Sequence, residues 1–267
     1  MSSKILGNHF DIHGGGQDLQ FPHHENETAQ SEGTYGMEFV KYWVHNGFVT
    51  ISGEKMSKSL GNFLTIRELT KEVHPETLRL LLLSHHYRSP IDFSRDAVQA
   101  ANQGLVRFYE MLDRVWSASP AAGEPRLKPL ADAFAKDFDE ALSDDFNTAR
   151  AIARLHELTT EVNRTLDSNP VVADEDRTAL KAAVELVAEV LGILEEEPKR
   201  FLERIKRSGI VETGLSEQEI EDLIAQRNEA RKAKDFKRAD EIRDTLKSKG
   251  IQLKDCLLYT PPSPRDS

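Results

Sequence analysis

Apolar residues recur at helical spacing over much of this chain. Val98, Leu105, Phe108, Leu112 and Val115 fall on one stripe, as the 3.6-residue period of an amphipathic helix requires. The pattern returns in Ala149 to Leu166 and in Leu180 to Leu194. Strand signals are scarce between them, and Ser119-Pro120-Ala121-Ala122-Gly123-Glu124-Pro125 reads as a loop between helices. These stretches predict an antiparallel helical bundle over 95–205. A smaller unit follows over 206–255. Ser216 to Lys232 and Asp235 to Ser248 predict two short helices, then a strand at Ile251-Gln252-Leu253. Its apolar positions Ile220, Leu223, Ile224, Phe236, Ala239, Ile242 and Leu246 would face each other.

Ahead of the bundle the pattern is mixed. Residues 8–20 are polar and Gly-rich and read as a strand end followed by a tight loop. Pro22 suits the first turn of a helix over 23–32, because its missing N–H would be unpaired there anyway; Gly33 closes that helix. Met37 to Asn46 predicts a second helix, ended by Gly47. Phe48-Val49-Thr50-Ile51 is a short strand leading into a loop bounded by Gly53 and Gly61. Thr65 with Glu68 forms a capping-box pattern, and His74-Pro75 opens a helix through Leu83. The fold class is therefore mixed and mostly α, in segments 1–64, 65–94, 95–205 and 206–255. Residues 256–267 depart abruptly from this character and read as a non-native tail, which takes the single cysteine, Cys256, out of the functional argument.

The 267 residues suffice to bury a core and to hold two or three units. With 39% hydrophobic and 30% charged residues the composition is that of a soluble, helix-rich protein. The longest apolar run, Leu80 to Leu83, is far too short to span a bilayer, so no membrane partner is expected. The start Met1-Ser2-Ser3-Lys4 lacks an apolar signal region. One cysteine excludes an internal disulfide framework, and a cytoplasmic location is the expectation. The net charge of −10 argues against a uniformly basic nucleic-acid binder. Between Gln226 and Gly250, however, nine basic residues stand against five acidic ones. Arg227, Arg231, Lys234 and Lys237 in that stretch are candidates for phosphate contacts; a solvated face of alternating charge would use the same residues.

Two strings carry candidate chemistry. The first is Phe10-Asp11-Ile12-His13-Gly14-Gly15-Gly16, running on to Phe21-Pro22-His23-His24-Glu25-Asn26-Glu27. His23 and Glu27 are four apart in an expected helix, so both lie on one face and could grip one metal ion; by spacing alone an ordinary helix-surface pair is the better reading. His24 points to another face and reads as a supporting or solvated group. His13, beside glycines that let backbone approach a ligand, is a candidate for a substrate pocket, and Asp18 for binding a substrate ammonium or capping a helix. Trp43 reads as core, and His9, His45, His74, His85 and His86 default to structural roles. The second string is Lys55-Met56-Ser57-Lys58-Ser59-Leu60-Gly61-Asn62. Two ammonium groups on a mobile loop, Lys55 and Lys58, suit a polyphosphate and the charge that develops on departing pyrophosphate.

Together the strings resemble the class I aminoacyl-tRNA synthetases, and specifically the cysteinyl-tRNA synthetases. The resemblance runs to about Asp255 and covers the C-terminal part of that family's chain. It implies the C-terminal part of a Rossmann-type catalytic domain, a DALR-like helical bundle and a small α/β anticodon-binding unit. It implies ATP-dependent activation of L-cysteine to cysteinyl-adenylate, with Mg2+, and transfer to tRNA(Cys). In the family, the residues matching His23 and Glu27 bind Zn2+ together with two cysteines from earlier in the chain, the substrate thiolate coordinates the metal, and the residue matching Lys58 contacts ATP. A zinc–thiolate bond rejects serine because a hydroxyl is a harder ligand. The family's His-Ile-Gly-His half and its upstream cysteines have no counterpart in these residues, so inactivity of this chain alone is expected. Two other readings stand beside this one: the related cysteine–amino-sugar ligase of mycothiol synthesis, and a non-catalytic RNA-binding fragment.

Overall fold

A computed structural model describes residues 2–51, 54–55, 65–120, 123–213, 217–233 and 235–248. It divides into two units, residues 1–198 and 199–267. In the first, a short helix α1 (Ser2–Leu6) precedes strand β1 (Phe10–Gly16), which pairs in parallel with β2 (Val40–Asn46). One helical turn, α2 (Gln17–Leu19), a wide turn over Gln20–His24 and helix α3 (Glu25–Tyr35) connect them. Phe21 interrupts the helical path with extended backbone (φ −128°, ψ 131°).

Three local expectations change here. The glycine triplet lies within β1 and not in a loop, and none of its members has positive φ. Helix α3 runs past Gly33 and stops at Gly36, whose φ of 66° supplies the left-handed cap. Met37 to Asn46 is not a helix. Val40, Tyr42, Trp43 and Val44 are strand-forming types, and pairing with β1 overrides the helix-like spacing of Phe39, Val40 and Trp43.

The strand expected at Phe48–Ile51 is present as β3 (Val49–Ile51). It pairs antiparallel with β4 (Glu54–Lys55) and parallel with β5 (Ile91–Asp92). Helix α4 (Ile66–Glu72) opens with the expected capping box: the Glu68 N–H donates to Thr65 Oγ1 at 3.2 Å, and the Thr65 N–H to Glu68 Oε2 at 3.0 Å. Helix α5 (Pro75–Leu83) starts at His74, as its His-Pro pair requires.

The bundle comprises α6 (Arg95–Ser117), α7 (Lys128–Ser143), α8 (Thr148–Ser168) and α9 (Asp174–Leu191). Its core includes Leu105, Phe108, Leu112, Phe138, Leu155, Val162, Leu180 and Val187. Short strands β6 (Ser119–Pro120) and β7 (Val171–Val172) pair beside it. Two adjacent residues of α9 hold the ends of two other helices. The Asp176 carboxylate, 1% exposed, accepts the N–H groups of Arg126, Leu127 and Lys128 at the start of α7. Arg177 donates to the carbonyls of Val115, Trp116 and Ala118 at the end of α6. Both contacts satisfy orphan terminal groups and oppose the helix dipoles. Glu76, also buried, accepts from Tyr109 Oη at 2.9 Å and from the N–H groups of Leu194 and Glu195, tying α5 to α6 and to the chain after α9. Burial first, and then the Glu76 charge, drives the Tyr109 hydroxyl pKa upward.

Residues 84–92 connect the bundle to the strands. Arg88 donates to Asp145 through Nε at 2.6 Å, and the Tyr87 hydroxyl donates to the same carboxylate at 2.7 Å. On the other side, Gln17 Nε2 donates to the Arg88 carbonyl at 3.0 Å, and the Gly47 N–H to the Tyr87 carbonyl at 2.7 Å. A Cβ on Gly47 would collide with the Ser89 carbonyl, which is why a glycine stands there.

The second unit contains α10 (Pro198–Thr213), α11 (Glu217–Lys232) and α12 (Phe236–Ser248). The boundary expected at residue 205 falls inside α10. The two expected short helices are present and pack on one another, with Ala230, Ala239, Ile242 and Leu246 buried. Phe236, expected in that interface, is 61% exposed. The strand expected at 251–253 lies outside the described residues.

Candidate metal and nucleotide site

Strand alternation brings the site together. His13 and Gly15 on β1 stand opposite Trp43 and His45 on β2 in register, so all four positions share one face of the pair. The wide turn at Gln20–His24 carries His24 to the same place, and Glu27 lies on the first turn of α3. His13, His24 and Glu27 each offer one ligand atom, all within 4.8 Å of one another. His13 Nε2 stands 3.5 Å from Glu27 Oε2.

The ring packing fixes this arrangement. His13 stacks on Trp43 with centroids 4.7 Å apart at 22°, and Trp43 lies parallel to His45 at 5.8 Å. The His24 and His45 rings share a hydrogen bond between Nδ1 and Nε2 at 2.8 Å, which leaves His24 Nε2 for a ligand. Gly15 makes room for that ring: a Cβ there would lie 2.7 Å from His24 Cε1. The triplet therefore serves close approach of a side chain to the strand, with no need for positive φ. Burial foremost, and then the neighbouring His13 and His45, lowers the His24 pKa against the opposing pull of Glu27. The shift favours the neutral imidazole, which is the metal-binding form.

Two imidazoles and a carboxylate are a recognised zinc donor set that leaves a fourth position open. Tetrahedral zinc with bonds near 2.1 Å sets its ligand atoms about 3.4 Å apart, close to the observed His13–Glu27 separation. His13 Nδ1 is buried without a hydrogen-bond partner, so this ring is held by stacking and by its Nε2 side. The donor set thus fits a zinc ion.

The sequence-derived residues distribute unevenly. Glu27 and His13 are in the cluster. His23 is exposed and outside it, whereas its neighbour His24 is 6% exposed and inside it. His24 and Glu27 are three apart and also share a helix face, and in this structure it is His24 that lies against His13. His45 and Trp43, read as structural and core residues, are parts of the site. Strand alternation across 43 and 45 was the available signal, hidden by the helical reading of that stretch. Asp18 is exposed in α2, and a Cβ on Gly16 would lie 2.5 Å from its Oδ1, so the carboxylate folds back over the end of β1. Lys55 occupies β4, with backbone opposite Thr50; Lys58 lies outside the described residues.

In the second unit, Arg231 and Lys237 are exposed and Lys234 lies outside the described residues. Arg227 is only 8% exposed, so little of its side chain is open to a phosphate in this structure. It falls three to four residues from Leu223, Ile224 and Ala230, on the apolar stripe of its helix.

Comparison with known proteins agrees with this layout. Residues 1–103 match the family described as tRNA synthetases class I (C) catalytic domain, and residues 137–195 match the DALR domain. Residues 213–255 match the cysteinyl-tRNA ligase anticodon binding domain. A Cysteine--tRNA ligase of Syntrophotalea carbinolica is 49% identical over 260 residues, 96% of this chain and 54% of its own length. Over the length it spans, the chain belongs to the cysteine–tRNA ligase family. The Geobacter sulfurreducens Cysteine--tRNA ligase is also 49% identical, again over 96% of this chain and 54% of its own length. The chain thus spans about half the length of these curated relatives and matches their C-terminal part. Among solved structures, an Agrobacterium radiobacter K84 LeuRS in a ternary complex gives a TM-score of 0.55 at 21% identity, covering 71% of this chain and 26% of that one. A Mycobacterium tuberculosis methionyl-tRNA synthetase gives 0.53 at 19% identity, covering 78% and 45%. Both support the class I fold. Among the described residues no helix is long and apolar enough to cross a membrane.

Proposed function

We propose that this chain is the part of a cysteine–tRNA ligase that contributes the lysine loop, one side of the amino-acid site and the tRNA-binding units. The whole protein would activate L-cysteine with ATP and transfer it to tRNA(Cys) in the cytoplasm. The observation that carries the reading is near-50% identity to cysteine–tRNA ligases across 96% of the chain, extending through an anticodon-binding domain. That domain favours the tRNA enzyme over the amino-sugar ligase.

Glu27, His13 and His24 would hold zinc, with His45 orienting His24 through the ring hydrogen bond. When bound, zinc supplies a soft acceptor for a thiolate and a basis for rejecting serine. Trp43 walls the site and excludes water from the imidazoles. Lys55 and Lys58 would close over the ATP phosphates and counter the charge that grows on pyrophosphate, with Mg2+ accompanying the nucleotide. Arg231, Lys234 and Lys237 would meet tRNA phosphates.

The test is cysteine-dependent ATP–pyrophosphate exchange, by this chain alone and by the chain joined behind the upstream half of the Geobacter sulfurreducens relative. The joined protein should exchange with cysteine and not with serine, and the chain alone should not. Lys58→Ala in the joined protein should slow adenylate formation by ~10²–10³-fold. No cysteine-dependent exchange by the joined protein would contradict the reading.

A further inference from the structure

The strands that carry the ring cluster end against one short segment. Gln17 directly follows β1 and donates from Nε2 to the Arg88 carbonyl at 3.0 Å. Gly47 directly follows β2, and its N–H donates to the Tyr87 carbonyl at 2.7 Å. Two adjacent carbonyls thus set where both strands stop, just beyond His13 on one and His45 on the other. The side chains of the same two residues converge on a single carboxylate. Tyr87 Oη donates to Asp145 Oδ1 at 2.7 Å, and Arg88 donates to both carboxylate oxygens at 2.6 and 3.0 Å. His86 Nε2 lies 3.7 Å from Asp145 Oδ2.

Asp145 and Phe146, in the turn between α7 and α8, both stand in the left-handed region, with φ of 56° and 54°. That conformation is costly for residues other than glycine and persists where surrounding contacts over-determine it. Helix capping does not account for it, because the Asn147 side chain accepts the Arg150 N–H at the start of α8. Apolar burial does not either, since Phe146 is 57% exposed. Nor does the ion pair: its side chains are 50% and 41% exposed, and exposed pairs contribute little net stability. What the strained turn achieves is placement of a carboxylate under Tyr87 and Arg88. We propose that Asp145 is a positioning residue for the His13, His24, Trp43 and His45 cluster, acting through the Tyr87 and Arg88 carbonyls that hold the ends of β1 and β2. Its consequence for metal binding rests on the zinc reading above; its effect on the rings does not.

The experiment records imidazole and indole NMR spectra of the intact chain and titrates it with Co2+, a spectroscopic substitute for Zn2+. Wild type is compared with Asp145→Ala, Asp145→Asn, Gln17→Ala and Arg114→Ala. Arg114 pairs with Asp167 at 2.6 Å, at comparable exposure elsewhere in the bundle, and serves as the control. Circular dichroism verifies that the variants keep the wild-type helix content. We expect Asp145→Ala to move the His24, His45 and Trp43 resonances and to weaken Co2+ binding by ~10-fold. Asp145→Asn, which keeps an acceptor for Tyr87 but loses the charge opposite Arg88, should shift them the same way by less. Gln17→Ala should move the same resonances, and Arg114→Ala should move none of them. Unmoved rings in the Asp145 variants or in Gln17→Ala, or equal changes in Arg114→Ala, would overturn the proposal. Should Asp145→Ala fail to fold, Asp145→Asn decides. A wild-type chain that binds no Co2+ counts against the metal reading, and the ring resonances still decide the positioning role.

Discussion

Asp176 in the bundle is 1% exposed and receives three backbone N–H groups, whereas His13 Nδ1 and Ser31 Oγ in the N-terminal region are buried with no partner. The same contrast holds for apolar groups. Leu105, Phe108, Met111 and Val115 of α6 are fully enclosed, while Ile12, Phe21 and Tyr42 lie open. Among the described residues, no buried side-chain N or O atom of the bundle lacks a hydrogen-bond partner. The β1–β2 region orders a cluster of rings but leaves donors and a sheet face uncovered. A region that is unsatisfied in both ways is open to a ligand, and the string from Phe10 to Glu27 falls there.

Four changes test that contrast, from large to small. Asp176→Ala should destabilise the chain by about 3 kcal/mol in urea unfolding, because it strands buried N–H groups at the start of α7. An effect below about 1 kcal/mol would show that the bundle does not depend on this contact. In the N-terminal region the expected effect is on metal. His45→Ala should weaken zinc binding by ~10–100-fold in calorimetric titration through loss of the His24 orientation. His24→Ala should weaken it further, and His23→Ala least; the reverse ranking of His23 and His24 would restore the ligand pair that residue spacing suggests.

The third change concerns the link between the regions. Hydrogen bonds from Arg88 and Tyr87 hold the Asp145 pKa down at about 2. A carboxylate with a lowered folded pKa stabilises above its unfolded value, near 3.9, and that contribution is lost as pH falls through about 2. Wild type should therefore lose thermal stability between about pH 4 and pH 2 in a way that Asp145→Asn does not. The pair is exposed, so the difference should be small; identical pH profiles would remove the contact from the account. The smallest effect belongs to the open face. Ile12→Lys and Tyr42→Lys should shift the stability of the chain by less than about 0.5 kcal/mol, and a large loss would mean that the face is already packed.

The same contrast governs what the residues disclosed. Helix periodicity located much of the bundle and both short helices of the second unit, because amphipathic stripes there are completed by neighbours within the chain. Helix α7 went unmarked between two loop-rich stretches. Capping residues Thr65, Glu68 and His74 announced their helices, since that chemistry is local. The N-terminal strands were harder. Val40 to Asn46 becomes a strand only by pairing with residues thirty positions earlier. His24, three residues before Glu27, shares its helix face as His23 does, and its burial against His13 and Trp43 was not legible from spacing. The low exposure of Arg227, three to four residues from Leu223, Ile224 and Ala230 on α11, was not legible from charge alone. Glu27 and His13 were legible from the motif; Trp43 and His45 required the strand register.

Amide hydrogen exchange on the isolated chain tests the contrast most directly. Residues 10–16 and 40–46 should exchange ~100-fold faster or more than residues 105–112 and 180–191, since a region with few enclosing contacts opens locally at lower cost. Added Zn2+ should slow the first set and leave the second unchanged. Equal protection of both sets without zinc, or no response of the first set to zinc, would contradict the account.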